Sequence, residues 1–169
     1  MDIKTPNFQT SAICGLFCSS CMIYLATQKN DMIKLQYFAE KLNTSVDQVR
    51  CNGCRSDVLT TYCKNCYMKK CSSEKKVSFC SECDEYPCNY LIEFQKQMPH
   101  RVELFDSLSR IKEVGWEQWF RENEERVTCT QCHQICSWYE TICSKCGNTP
   151  SSPFVADHID ILNIKKVRN

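Results

Sequence analysis

The chain has 169 residues, a formal net charge of +1 and sixteen cysteines. That length fits one domain or two small ones, and no apolar run approaches the ~20 residues of a membrane span. Three Cys₄ zinc sites, each adding about −2, would carry the net charge to about −5, which weighs against a general nucleic-acid binder with its basic footprint.

Cysteine at about a tenth of the residues flags either a disulfide scaffold or a metal scaffold. The opening stretch MDIKTPNFQTSAICG has no apolar h-region and no small-residue cleavage site. It predicts a cytoplasmic protein with reduced thiols, and repeated Cys-x-x-Cys pairs then point to metal.

The first cysteines form a triplet, Cys14-x₃-Cys18-x₂-Cys21. It has the spacing of the radical-SAM iron–sulfur motif. The chain lacks the length and the strand–helix alternation of the barrel that normally houses that chemistry. An iron–sulfur cluster in the N-terminal region remains the alternative cofactor. Asp31 can cap a helix carrying Leu35, Phe38, Ala39 and Leu42, and Ser45 with Gln48 forms a capping-box pattern ahead of the pair Cys51/Cys54.

An internal repeat follows. Cys63-x₂-Cys66-x₄-Cys71 recurs seventeen residues later as Cys80-x₂-Cys83-x₄-Cys88. Residues 1–98 therefore hold eleven candidate ligands, enough for two Cys₄ sites with three left over, or for three sites if another group completes one shell. Spacing alone does not partition them. One division pairs Cys63/Cys66 with Cys80/Cys83, and Cys18/Cys21 with Cys51/Cys54. Lys64, Lys69, Lys70, Lys75 and Lys76 surround the repeat, and the simplest role for them is to offset thiolate charge. Pro87 suits the first turn of a helix through Leu91 and Phe94.

Residues 99–127 contain no cysteine and read as a helical connector. Phe105, Leu108 and Ile111 share one face, Gly115 can end that helix, and Trp116, Trp119 and Phe120 start the next. Core packing is the expected use of this stripe, because small metal modules lack buried apolar area.

Residues 128–150 read as a zinc ribbon. Cys129/Cys132 and Cys143/Cys146 would sit on two knuckles, with 134–142 as a hairpin between them, and a closed tetrahedron of thiolates marks a structural site. Cys136 breaks the spacing and reads as a buried small hydrophobe. This ribbon is expected to fold independently of residues 1–98. Residues 151–169 form the tail: NTPSSP resembles a linker, the following segment suits one amphipathic helix, and Lys165, Lys166 and Arg168 a solvated end.

Three of the four glycines, Gly15, Gly53 and Gly147, touch cysteine motifs, and four are too few to build a phosphate-cradling loop. His100 reads as a loop residue and His158 as a surface residue. No side-chain constellation reads as catalytic.

The strings ICGLFCSSCMIYLAT, CNGCRS, YCKNCYMKKC and CSECDEYPCNYL, in this order, resemble a prokaryotic cysteine-rich family, domain of unknown function 3795. The tail CTQCHQICSWYETICSKCG resembles a zinc-ribbon extension found on some members. The resemblance implies a metal-binding module and carries no established activity. The expected fold is a small metal-stabilised α+β protein: a zinc-knuckle domain with short helices, a helical connector and a C-terminal ribbon. About three zinc ions per chain would hold it. The expected function is that of a binding or adaptor module whose partner the sequence does not name. A thiol-redox or metal-handling role for Cys71, Cys88 and Cys136 is a further alternative.

Overall fold

The computed structural model describes residues 5–163. Among them the chain is mostly helical: α1 (Met22–Gln28), α2 (Met32–Lys41), α3 (Val46–Val49), α4 (Thr61–Lys64), α5 (Tyr67–Lys75), α6 (Asn89–Lys96), α7 (Leu104–Val114), α8 (Trp116–Arg126) and α9 (Pro153–Asn163). Short 3₁₀ turns occupy Cys18–Ser20, Cys80–Glu82 and Pro99–Arg101. Pairing of extended backbone outside named strands comes down to two isolated bridges, Ser11 with Phe17 and Thr128 with Ile135. The β component of the expected α+β class is therefore reduced, among the described residues, to single bridges. The segment meant as a hairpin is mostly turn. Its knuckles satisfy their backbone N–H groups on sulfur and on nearby carbonyls, so no ladder is needed to do so.

The local signals act where the sequence places them. Asp31 accepts from the Lys34 N–H and starts α2, which buries Leu35 and Ala39 while Leu42 stays half out in solvent. Ser45 and Gln48 make the reciprocal capping box of α3. Pro87 lies outside the first turn, two residues before α6 begins at Asn89, with Cys88 as the N-cap. Gly115 separates α7 from α8 at φ 82°.

Helices α7 and α8 pack together into a platform whose inner face is Leu104, Leu108, Ile111, Trp119 and Phe120, all buried. The loop carrying the first cysteines lies on it. Phe17 meets Trp119 edge-on at 5.9 Å and Phe120 at 4.9 Å. Gly15 sits against α7 so closely that a Cβ would stand 2.8 Å from the Leu108 Cγ. Helices α1, α2 and α3 bury a smaller cluster of Ala26, Leu35, Ala39 and Val49.

The main core is shared by all four sequence segments. Ile13, Phe17, Leu91, Leu108, Trp119, Trp138, Phe154 and Leu162 belong to one cluster of buried side chains. The Ser20 hydroxyl donates to the Cys136 carbonyl at 2.6 Å, a further tie between the two cysteine-rich regions. The serines of NTPSSP are no linker: Ser151 and Ser152 are buried, and Ser152 accepts from the Val155 N–H at the start of α9. Lys165, Lys166 and Arg168 lie outside the described residues.

Candidate metal centre

Cys129, Cys132, Cys143 and Cys146 converge, their four sulfurs all within 4.8 Å of one another. The closest approaches run between the knuckles, Cys129 to Cys146 and Cys132 to Cys143, each at 3.6 Å. A tetrahedron with Zn–S bonds of ~2.3 Å has edges of about 3.8 Å, so the sulfurs already stand at zinc spacing. Gly147 closes the second knuckle at φ 77°, and its N–H donates to the Cys143 carbonyl at 2.8 Å.

The knuckle backbone aims N–H groups at the sulfurs. Those of Cys132 and Gln131 hold the Cys129 thiol below its ordinary range. Burial pushes Cys143 up, but the N–H groups of Cys146 and Lys145 and the thiols of Cys132 and Cys146 outweigh it and bring the thiol down to about 6. The Asn148 N–H draws Cys146 down, but burial and the thiols of Cys132, Cys129 and Cys143 outweigh it and push that thiol up to about 12, so a bound ion must displace its proton.

Cys136 is fully buried beside this group but points elsewhere, toward the carbonyls of Gln134 and Ser151 at 3.6 and 3.7 Å. Burial first, then the nearby Glu140 charge, pushes its thiol up to about 12. It is a protonated packing residue. Replacing Cys136 with Ala is expected to leave the metal content of the chain unchanged and to cost about 1 kcal/mol for the small void. Elemental analysis and a thermal melt check both parts, and loss of a metal equivalent would give Cys136 a ligand role.

The eleven N-terminal cysteines are brought together more loosely. Among the described residues no three of them gather as tightly as the ribbon set. Their electrostatic neighbours trace one continuous array. Burial drives the Cys18 thiol well above its ordinary range, and Cys54, Cys21, Cys14 and Cys51 add to the shift. Cys14, raised by burial, faces Cys54, Cys80 and Cys66. Cys21, also raised by burial, faces Cys63. Burial pushes Cys63 up to about 11, with Cys51, Cys54 and Cys66 nearby. The two thiols of a Cys-x-x-Cys pair thus face different neighbours. Cys80, pushed up to about 12 by burial, is surrounded by Cys88, Cys71, Cys83 and Cys66. That places Cys80 and Cys83 with Cys71 and Cys88, a different division from the pairing with Cys63 and Cys66. Thiols so raised are neutral without metal, and a bound ion must displace their protons.

Two cations serve the array. Lys69 donates to the Cys54 carbonyl at 2.8 Å. Arg55 lies between the rings of Phe8 and Phe79, donates to the Ser11 carbonyl at 2.8 Å, and faces Cys54, Cys18 and Cys14. Arg55 carries no motif of its own; its position just after Cys54 was the one available hint. Lys70 instead pairs with Glu74 on the same helix.

The histidines stay out of the sulfur groups. His100 stacks on Trp138 at 4.5 Å, and its Nδ1 is 2.7 Å from the Tyr139 hydroxyl. His158 is no plain surface residue: its Nε2 lies 2.6 Å from Glu103, which also pairs with Arg126.

Residues 10–93 match one family model, that of a protein of unknown function (DUF3795). These residues are of the DUF3795 family. The match covers all eleven N-terminal cysteines and ends before α7, so the ribbon and the α7–α8 platform lie outside it. No curated protein and no solved structure matches the chain. The DUF3795 region carries the loose cysteine array, and the tight Cys₄ group is an addition to it. No described helix is long and apolar enough to cross a membrane.

Proposed function

We propose that this chain is a zinc-binding protein of the reducing cytosol whose thiolate-held metals maintain its fold, and that it acts as a binding or adaptor module. The observation that carries the reading is the gathering of Cys129, Cys132, Cys143 and Cys146 within 4.8 Å. With four protein thiolates on one ion, no coordination position is left for a substrate, which separates a structural site from a catalytic one. The N-terminal cysteines supply further thiolate sites under the same logic: they supplement a limited apolar core.

A protein partner fits better than nucleic acid. Helix α2 leaves Met32, Ile33 and Tyr37 exposed, Ile33 at 85%, and exposed apolar groups of this kind associate with proteins. The thiolate sites also make the net charge more negative.

Elemental analysis of the full chain, purified without oxygen, tests the reading. Expected is at least one zinc per chain held by the ribbon set, with further metal on the N-terminal cysteines. A folded chain that carries no metal would overturn the proposal.

A further inference from the structure

The repeat places four cysteines around one space. Cys71 lies on α5, Cys80 and Cys83 flank the 3₁₀ turn that follows, and Cys88 caps α6. All four line a single cavity of about 30 Å³. Its walls are nearly all apolar: Met68 and Leu91 are buried against it, and the rings of Tyr67 and Tyr90 lie beside it, 4.3 Å apart.

The size of this space decides what it can hold. Four thiolates on one zinc stand about 3.8 Å apart and leave no room for a water between them. The ribbon sulfurs, at 3.6 Å, have that spacing. Around this cavity the sulfurs stand further apart, since among the described residues no three N-terminal cysteines gather to 4.8 Å. A [4Fe–4S] cubane is held by four cysteine thiolates and sets them on the corners of a larger tetrahedron than a single zinc does.

The surroundings suit that group. The Glu85 N–H donates to the Cys83 sulfur at 3.4 Å, the kind of contact that stabilises cluster thiolates. Lys75 lines the cavity, but Glu85 at 2.7 Å and Asp84 at 3.4 Å already take up its charge.

We infer that Cys71, Cys80, Cys83 and Cys88 together hold one [4Fe–4S]-type cluster in this cavity. The inference rests on reading the N-terminal cysteines as metal ligands, and not on the zinc assigned to the ribbon. For this one set it replaces the zinc expected from the knuckle spacing.

The test uses the full chain, purified without oxygen and reconstituted with ferrous iron and sulfide. Expected are a brown protein with broad visible absorption that bleaches with dithionite, and a Cys71→Ser/Cys88→Ser variant that loses about four iron and about four sulfide per chain. The variant should keep its ribbon zinc and its helical circular dichroism, which shows that it has folded. Iron and sulfide unchanged in that folded variant would overturn the ligand set. If the double variant does not fold, the single variants Cys71→Ser and Cys18→Ser decide: colour lost in the first and kept in the second supports the inference, and the reverse, or a colourless parent, overturns it. A colourless parent with zinc on these cysteines leaves the metalloprotein reading standing. A folded parent without N-terminal metal removes both.

Discussion

Replacing Cys143 with Ser is expected to remove one zinc per chain and to lower the melting temperature more than any other single change in the C-terminal half. Structural zinc supplies about 10–16 kcal/mol of apparent folding free energy in isolated zinc-finger peptides. That matches or exceeds the whole stability of a typical domain, about 5–15 kcal/mol. The knuckles' own buried cluster consists of Cys129, Cys136 and Cys143. The damage should spread beyond the knuckles. Trp138 belongs to the main core, and its ring carries the stacked His100. A red shift of tryptophan emission should therefore accompany the lost zinc. An unchanged zinc count would sink the assignment. A lost zinc with unchanged emission would show that the ribbon melts without disturbing the core.

The glycines next to the cysteine motifs should rank in cost by what stands over them. At Gly53, φ is 109° and a Cβ would lie 2.5 Å from the Gln9 carbonyl oxygen, a backbone atom that cannot step aside. Gly53→Ala combines backbone strain with overpacking, each worth about 1–3 kcal/mol, so a loss of about 3 kcal/mol or more is expected. The Gly53 N–H also donates to the Cys51 sulfur at 3.4 Å, so metal on that thiolate should weaken too. At Gly147, φ is 77° and nothing lies within 4 Å of the added methyl. Gly147→Ala should cost only about 1 kcal/mol. Denaturant unfolding of both variants checks the ranking, and equal losses would show that φ alone sets the cost.

What could be read in advance was local. The Asp31 cap and the Ser45–Gln48 box each depend on neighbours a few residues away and form as read, and the four ribbon cysteines gather as their spacing suggested. Spacing tells which two sulfurs share a turn, but not which turns face each other. That is why the company of Cys80 and Cys83 was not legible: it depends on how α5, the turn after it and the start of α6 come together around one cavity. Ser151 and Ser152 were misread from composition as linker. The signal for the correct reading was present, since Ser152 followed by Pro153 is a cap followed by a first-turn proline. The expected hairpin failed for a different reason. The single bridge between Thr128 and Ile135 closes the first knuckle, and the Cys143 N–H donating to the Asn148 carbonyl closes the second, so neither needs paired strands.

The shared core sets a timetable for biosynthesis. Trp138 follows Cys21 by 117 positions, so at 5–20 residues per second the ribosome delivers it roughly 6–23 s later. During that interval Phe17 has no Trp138, Phe154 or Leu162 to complete its cluster, and the early cysteines wait in water. In the finished fold Cys14 and Cys51 are only 6% and 7% exposed. Ions captured on the nascent chain meet open thiols, whereas those arriving later must await local opening of a closed shell. If these cysteines take metal as proposed, loading would be fastest during translation, and a chain completed in metal-starved cells should fill slowly even when metal returns.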